Sequence, residues 1–155
     1  MAAREERSTS ERGEGRAVHT YRTIEHTADI GMEVEANTLP ELFEGAAYAM
    51  SSMMADPAGS VDEVEREVGL EAADLVELMF LWLNELLFLA ESGGLVLSGF
   101  DVAVEGTGLR AVCRGEPLDP GKHSMKSEIK AATYHELLVE RSGERGWKAR
   151  VIFDV

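Results

Sequence analysis

Four histidines, one cysteine and 29 acidic residues are the side chains with which this 155-residue chain can do chemistry. His19, His26, His123 and His135 stand at no helical ligand spacing from one another, and no cysteine pair accompanies them as a zinc site requires. The chain has neither a glycine-rich phosphate loop nor a Gly-x-Ser-x-Gly elbow, so an independent hydrolase built on a nucleophile and a base has no motif to rest on. Cys113 falls with Leu109 and Ala111 on the apolar side of an alternating run, where a free thiol behaves as a small hydrophobe. His135 ends the run Ile129-Lys130-Ala131-Ala132-Thr133-Tyr134-His135, whose period of two sets Lys130, Ala132 and Tyr134 opposite Ala131, Thr133 and His135. A hydrogen-bonded structural histidine, a base and a ligand all stay open for it.

The two ends of the ordered chain offer more. The closing run Trp147 to Val155 is apolar up to its last residue, so it finishes on two adjacent carboxylates, the Asp154 side chain and the α-carboxylate of Val155. Crowding two anions at a folded edge is unfavourable unless a cation or strong donors neutralise them. Asp29, just before the first apolar strand, supplies a third anion if the first and last strands lie side by side. Three such oxygen donors suit a hard cation, Ca²⁺, Mg²⁺ or Mn²⁺, better than zinc. On charge crowding alone, an ordinary solvated C-terminus is the simpler account.

The elements that must position these groups follow from periodicity. Ile30 to Ala36 alternates apolar with small or acidic residues, a strand with one buried face. Thr38 and Glu41 form a capping box for a helix whose stripe is Leu39, Leu42, Phe43, Ala46, Ala47, Met50, Met53 and Met54. Val64, Val68 and Leu70 predict a short strand. A second helix over about residues 72–91 is apolar almost all round, which marks a central core element closed by Gly93-Gly94. Leu95 to Val104, with a bend at Gly99, pairs through Gly106-Thr107-Gly108 with Leu109 to Arg114; a polar loop to Ser124 follows. Ile129 to Glu140 and Trp147 to Val155 predict two last strands. The expected fold is α+β, a single domain over residues 19–155 with two main helices packed on a mixed, largely antiparallel sheet.

Composition bounds the function. The net charge is −14, and one cysteine permits no internal disulfide, which points to a reducing cytoplasm. Residues 1–18 balance four Arg against four Glu among Ser and Gly and predict a disordered N-terminal tail, without the apolar segment of an export signal. The apolar stretch Leu78 to Ala90 is short of the ~20 residues that a bilayer needs, and Asn84 and Glu85 interrupt it. Residues 41–91 carry −11 and residues 110–155 carry +2, so the chain is no autonomous nucleic-acid binder, and an anionic partner would meet the C-terminal third.

Glu25-His26-Thr27-Ala28-Asp29-Ile30-Gly31 resembles the His-Thr-Ala-Asp-Ile-Gly signature of the archease family, with Glu25 where the family commonly has Asp. Leu39 to Phe43, Gly115-Glu116 with His123 downstream, Glu128 to His135 and Val151 to Val155 match in order and spacing, over about residues 20–155. The resemblance implies an archease fold and a cytoplasmic, non-catalytic accessory protein of the RtcB-type RNA ligase. That ligase joins 3′-phosphate or 2′,3′-cyclic-phosphate ends to 5′-hydroxyl ends in tRNA splicing and RNA repair. The accessory protein would promote guanylylation of the ligase's histidine and so multiple turnover, meeting GTP only through that partner. The resemblance also implies a divalent cation, calcium first and Mn²⁺ or Mg²⁺ as alternatives, on Asp29, Asp154 and Val155. Lys130, His26 and His135 are candidate contacts to the partner or its nucleotide. A second expectation, from the acidic segment 41–91, is a metal-binding, chaperone-like module that docks a basic protein through acidic helices.

Overall fold

A computed structural model describes residues 5–11, 18–25, 29–56, 61–144 and 146–155, the first of these segments by its backbone. In chain order the elements are β1 (Glu5–Glu11), β2 (Val18–Glu25), β3 (Asp29–Ala36), α1 (Leu39–Met54), β4 (Val64–Glu71), α2 (Leu75–Gly93), β5 (Leu95–Glu105), β6 (Gly108–Pro117), β7 (Ala131–Ala132), β8 (Leu138–Ser142) and β9 (Gly146–Asp154). The α+β class with two main helices is as the periodicity reads. The strands divide into two sheets, and every pairing among the described residues is antiparallel. One sheet runs β1-β2-β3-β9, with β7 and β8 both along the second edge of β9; the other runs β4-β6-β5. Both helices contact strands of both sheets. Their apolar surfaces are too broad for one sheet to cover, and a second sheet covers the rest.

The helix ends obey local chemistry. Thr38 Oγ1 accepts from the Glu41 N–H at 3.3 Å and donates to the Glu41 carboxylate, closing the capping box of α1. Asp74 does the same for α2, accepting from the Glu77 N–H at 2.8 Å, while Glu77 reaches back to the Ala73 N–H at 3.0 Å. Gly94 closes α2 in the left-handed region at φ 61°. The helix therefore spans Leu75–Gly93 rather than 72–91.

Which helix is enclosed differs from expectation. The broadly apolar α2 buries Leu78, Met79, Trp82, Leu83, Leu86 and Leu87 but leaves Phe88 62% exposed. It is α1 that is buried nearly all round. Its Gly45, Ala46, Ala47, Ala49, Ser51 and Ser52 are small enough to let strands approach closely; a Cβ at Gly45 would lie 2.8 Å from His19 Cγ. Enclosure here follows side-chain size and not hydrophobicity alone. The buried Trp82 Nε1–H donates to the Phe43 carbonyl at 2.9 Å and ties the helices together. The buried Glu44 accepts from the Val102 N–H at 2.9 Å.

Two further expectations are corrected. Residues 1–18 read as a disordered tail, yet Glu5–Glu11 pairs with β2 along its whole length. Backbone pairing needs no apolar side chain, so composition does not reveal it. The predicted strand over residues 129–140 is two strands, β7 and β8, separated by a turn in which Glu136 takes φ 51° and the His135 N–H donates to Thr133 Oγ1. In contrast, the bend expected at Gly99 is real: the β5–β6 register shifts between Leu97 and Gly99.

Candidate functional site

In antiparallel strands, residues directly opposite share a face with Cβ atoms ~4.5–5.5 Å apart. Along β3 and β9 this places Glu35 opposite Lys148, Glu33 opposite Arg150, Gly31 opposite Ile152 and Asp29 opposite Asp154. The ladder is charge-complementary until its end, where two aspartates meet. Its middle is well neutralised. Arg22 Nη2 lies 2.7 Å from Glu33 Oε1, and Arg150 Nη1 lies 3.9 Å from Glu33 Oε2. Burial pushes the Glu33 carboxyl up, but Arg22, Lys148 and Arg150 together outweigh it and hold the group below its ordinary range.

Around Asp154 the backbone is fixed from both sides. Asp29 of β3 pairs with it on one side and Ala131 of β7 on the other, and the Lys130 N–H donates to the Asp154 carbonyl at 2.9 Å. Thr133 then holds the Ile152 carbonyl through both its N–H at 3.0 Å and its hydroxyl at 2.8 Å. Asp154, Val155 and the Lys130 side chain are exposed, and Asp29 is half-buried. Among the described residues, no cluster of three or more His, Cys, Asp or Glu side chains stands at ligand distance. The expected set has only two such side chains, its third donor being the Val155 α-carboxylate. The donors fit a hard cation: all are oxygens, and two like charges lie directly opposite, an arrangement that is unfavourable without a counter-charge.

The other sequence candidates distribute unevenly. His26 lies outside the described residues. His135 is set apart from this edge: its exposed Nε2 sits 3.3 Å from Glu136, which reaches Arg150 at 3.5 Å. Arg150 is four residues along β9 from Asp154, roughly 13 Å at the rise of a strand. Lys130 adjoins the edge and also borders a mainly apolar groove of about 580 Å³ lined by Met54, Leu87, Leu95, Met125 and Ile129. Cys113 is fully buried, and burial pushes its thiol up to about 12, which removes the reactive thiolate.

A second polar cluster lies at Glu116 and His123, both buried. The Asp119 N–H donates to His123 Nδ1 at 2.9 Å, so Nε2 carries the proton and donates to Glu116 Oε1 at 2.7 Å. Lys122 Nζ lies 2.8 Å from the same carboxylate, and the Val61 N–H is 3.4 Å from its other oxygen. The Lys122 hydrogen bond, with help from His123 and Val61, overcomes burial and holds the Glu116 carboxyl down at about 2. A fully partnered carboxylate of this kind locks the loop over residues 118–125 onto β6. Periodicity has no means of seeing it, because loop and strand residues meet across a turn.

The architecture thus defines a class: a small α+β domain, two helices gripped by two antiparallel sheets, with paired aspartates where β3 meets the closing strand β9. The chain matches the model of the Archease protein family (MTH1598/TM1083) over residues 21–155 and belongs to that family. It is 40% identical over 139 residues to a protein of Methanopyrus kandleri named Protein archease, covering 87% of this chain and 99% of that one. A Protein archease of Methanosarcina acetivorans is 41% identical over 140 residues, covering 87% and 95%. Among solved structures, the solution structure of Methanobacterium thermoautotrophicum protein 1598 superposes with a TM-score of 0.78 at 32% identity, covering 87% of this chain and 98% of that one. No helix among the described residues is long and apolar enough to cross a membrane.

Proposed function

We propose that this archease is a non-catalytic activator of an RtcB-type RNA ligase, promoting guanylylation of the ligase and its multiple turnover in tRNA splicing and RNA repair. The observation that carries the reading is the in-register opposition of Asp29 and Asp154 at the end of an otherwise complementary ladder. Asp29, Asp154 and the Val155 carboxylate would hold a divalent cation, calcium or the Mn²⁺ or Mg²⁺ that a GTP-using partner requires. Such a cation supplies positive charge to phosphate oxygens. The chain's own part is to hold the two carboxylates rigidly in register and to present Lys130, a point charge suited to phosphate, beside them. Residues 110–155, which carry +2, put this edge on the less acidic side of the sequence.

The alternative, a chaperone-like module docking a basic protein through acidic helices, finds less support. Glu44 is buried, and Glu41 and Glu77 are spent on capping boxes. The exposed acids of residues 41–91 lie largely on and before β4, at Asp62, Glu63, Glu65, Glu67 and Glu71. Charge on an edge strand guards against pairing with other chains, a sufficient reason for its presence.

The test is RNA joining of 3′-phosphate to 5′-hydroxyl ends, with GTP, Mn²⁺ and substoichiometric ligase. Multiple turnover that depends on this protein, and that Asp29→Ala or Asp154→Ala abolishes in folded variants, supports the proposal. Normal stimulation by either folded variant refutes the role of the edge. No stimulation of an active cognate ligase refutes the function.

A further inference from the structure

β7 is only two residues long and pairs with β9 at Ala131–Asp154 and Ala132–Phe153 alone. On its far side lies α2, and there one side chain takes the place of a neighbouring strand. Asn84 Oδ1 accepts from the Ala132 N–H at 3.0 Å, and Asn84 Nδ2 donates to the Ala132 carbonyl at 3.2 Å. The same Nδ2 donates to the Phe80 carbonyl one turn back at 3.0 Å, which fixes the orientation of the amide. Phe80 itself stacks on Tyr134, ring centroids 3.9 Å apart and planes 12° from parallel. An amide in the middle of a helix as apolar as α2 is unfavourable unless its polar atoms are bonded. Here both are, and both reach the segment that bears Lys130.

We propose that Asn84 is a positioning residue for the Asp154–Lys130 edge. It clamps the main chain of Ala132, so that β7 lies against the end of β9 with the Lys130 N–H on the Asp154 carbonyl. No residue between Lys130 and Thr133 has another bond to α2 that sets this register among the hydrogen bonds of the described residues. The functional half of the inference rests on the ligase-activator reading; the structural half does not.

Two full-length variants separate the parts. Asn84→Leu removes both bonds while suiting the apolar helix, and Asn84→Asp keeps an acceptor for the Ala132 N–H and loses the donor. Amide hydrogen exchange is followed residue by residue, beside ligase stimulation and calorimetric titration with Ca²⁺. The Ala132 amide in Asn84→Leu should exchange about tenfold faster than in the wild type, with β5 and β6 amides unchanged, and Asn84→Asp should recover part of the protection. Stimulation should fall in the same order, Asn84→Leu furthest. Wild-type exchange at Ala132 in Asn84→Leu overturns the clamp. Faster exchange with undiminished stimulation overturns its functional role. If the wild-type protein itself fails to stimulate, the activator reading falls, and Asn84 is then judged on Ala132 exchange and Ca²⁺ affinity: unchanged values in Asn84→Leu overturn the positioning role, and losses in both uphold it.

Discussion

Asp29 and Asp154 oppose each other on a face where Glu33 meets Arg150 and Glu35 meets Lys148. Like charges directly opposite destabilise a strand pair by an amount comparable to a favourable pair, ~0.2–1 kcal/mol. Asp154→Asn should therefore melt no lower than the wild type in a chelator, while Ca²⁺ should raise the melting temperature of the wild type and leave that of the variant unmoved. Thermal melts with and without Ca²⁺ read both arms. Glu116 makes the second residue-scale prediction. Its carboxyl stands at about 2 in the fold against an ordinary 4.5, so its contribution is complete above pH 4.5 and is lost as pH falls toward 2. Urea midpoints measured between pH 5 and pH 2 should fall steeply in the wild type and more gently in Glu116→Gln, which begins less stable at pH 5. At this scale the sequence was partly legible. The charge crowding at Asp154 and Val155 is visible in one dimension, but that Asp29 faces Asp154 depends on strand order. Asn84 announces itself as an amide in an apolar helix, yet its partner lies 48 residues away.

The elements divide along similar lines. Local signals were readable: the Thr38–Glu41 box, the Gly94 stop and the Gly99 bend all reflect chemistry within a few residues. β7 was not, since two residues have no period and are held by Asn84 and β9 from outside. The expected centrality of α2 failed for a related reason: hydrophobicity says what is buried, and side-chain size says how closely strands approach. Close approach also governs the β5–β6 pair. A Cβ on Gly115 would fall 2.0 Å from the Val96 carbonyl oxygen, a backbone atom with nowhere to move. Gly115→Ala should cost about 3 kcal/mol or more, read as a lowered urea midpoint, and should loosen β6 where it carries Glu116.

For the whole molecule, the family match begins at residue 21, whereas β1 precedes it and, among the described residues, pairs with β2 alone. Deleting residues 1–17 should leave ligase stimulation unchanged, since β1 lies at the opposite edge of the sheet from β7 and the β9 edge that β7 covers. Lowered stimulation by the truncated chain would give that segment a part in partner binding. The division into two sheets was beyond a sequence reading, because pairing partners are chosen in three dimensions; the α+β class, two helices and the closing strand were not. The assembled domain brings Asp29 opposite Asp154 at one strand end, with Lys130 bonded beside them and Val155 next along the chain, on an otherwise strongly acidic body. The most direct measurement is transfer of radiolabelled GMP from GTP to the cognate ligase during turnover, with and without this protein. Labelled ligase should be restored after each joining event only when wild-type protein is present, and not with Asp154→Ala. Equal relabelling of the ligase alone would contradict the activator role.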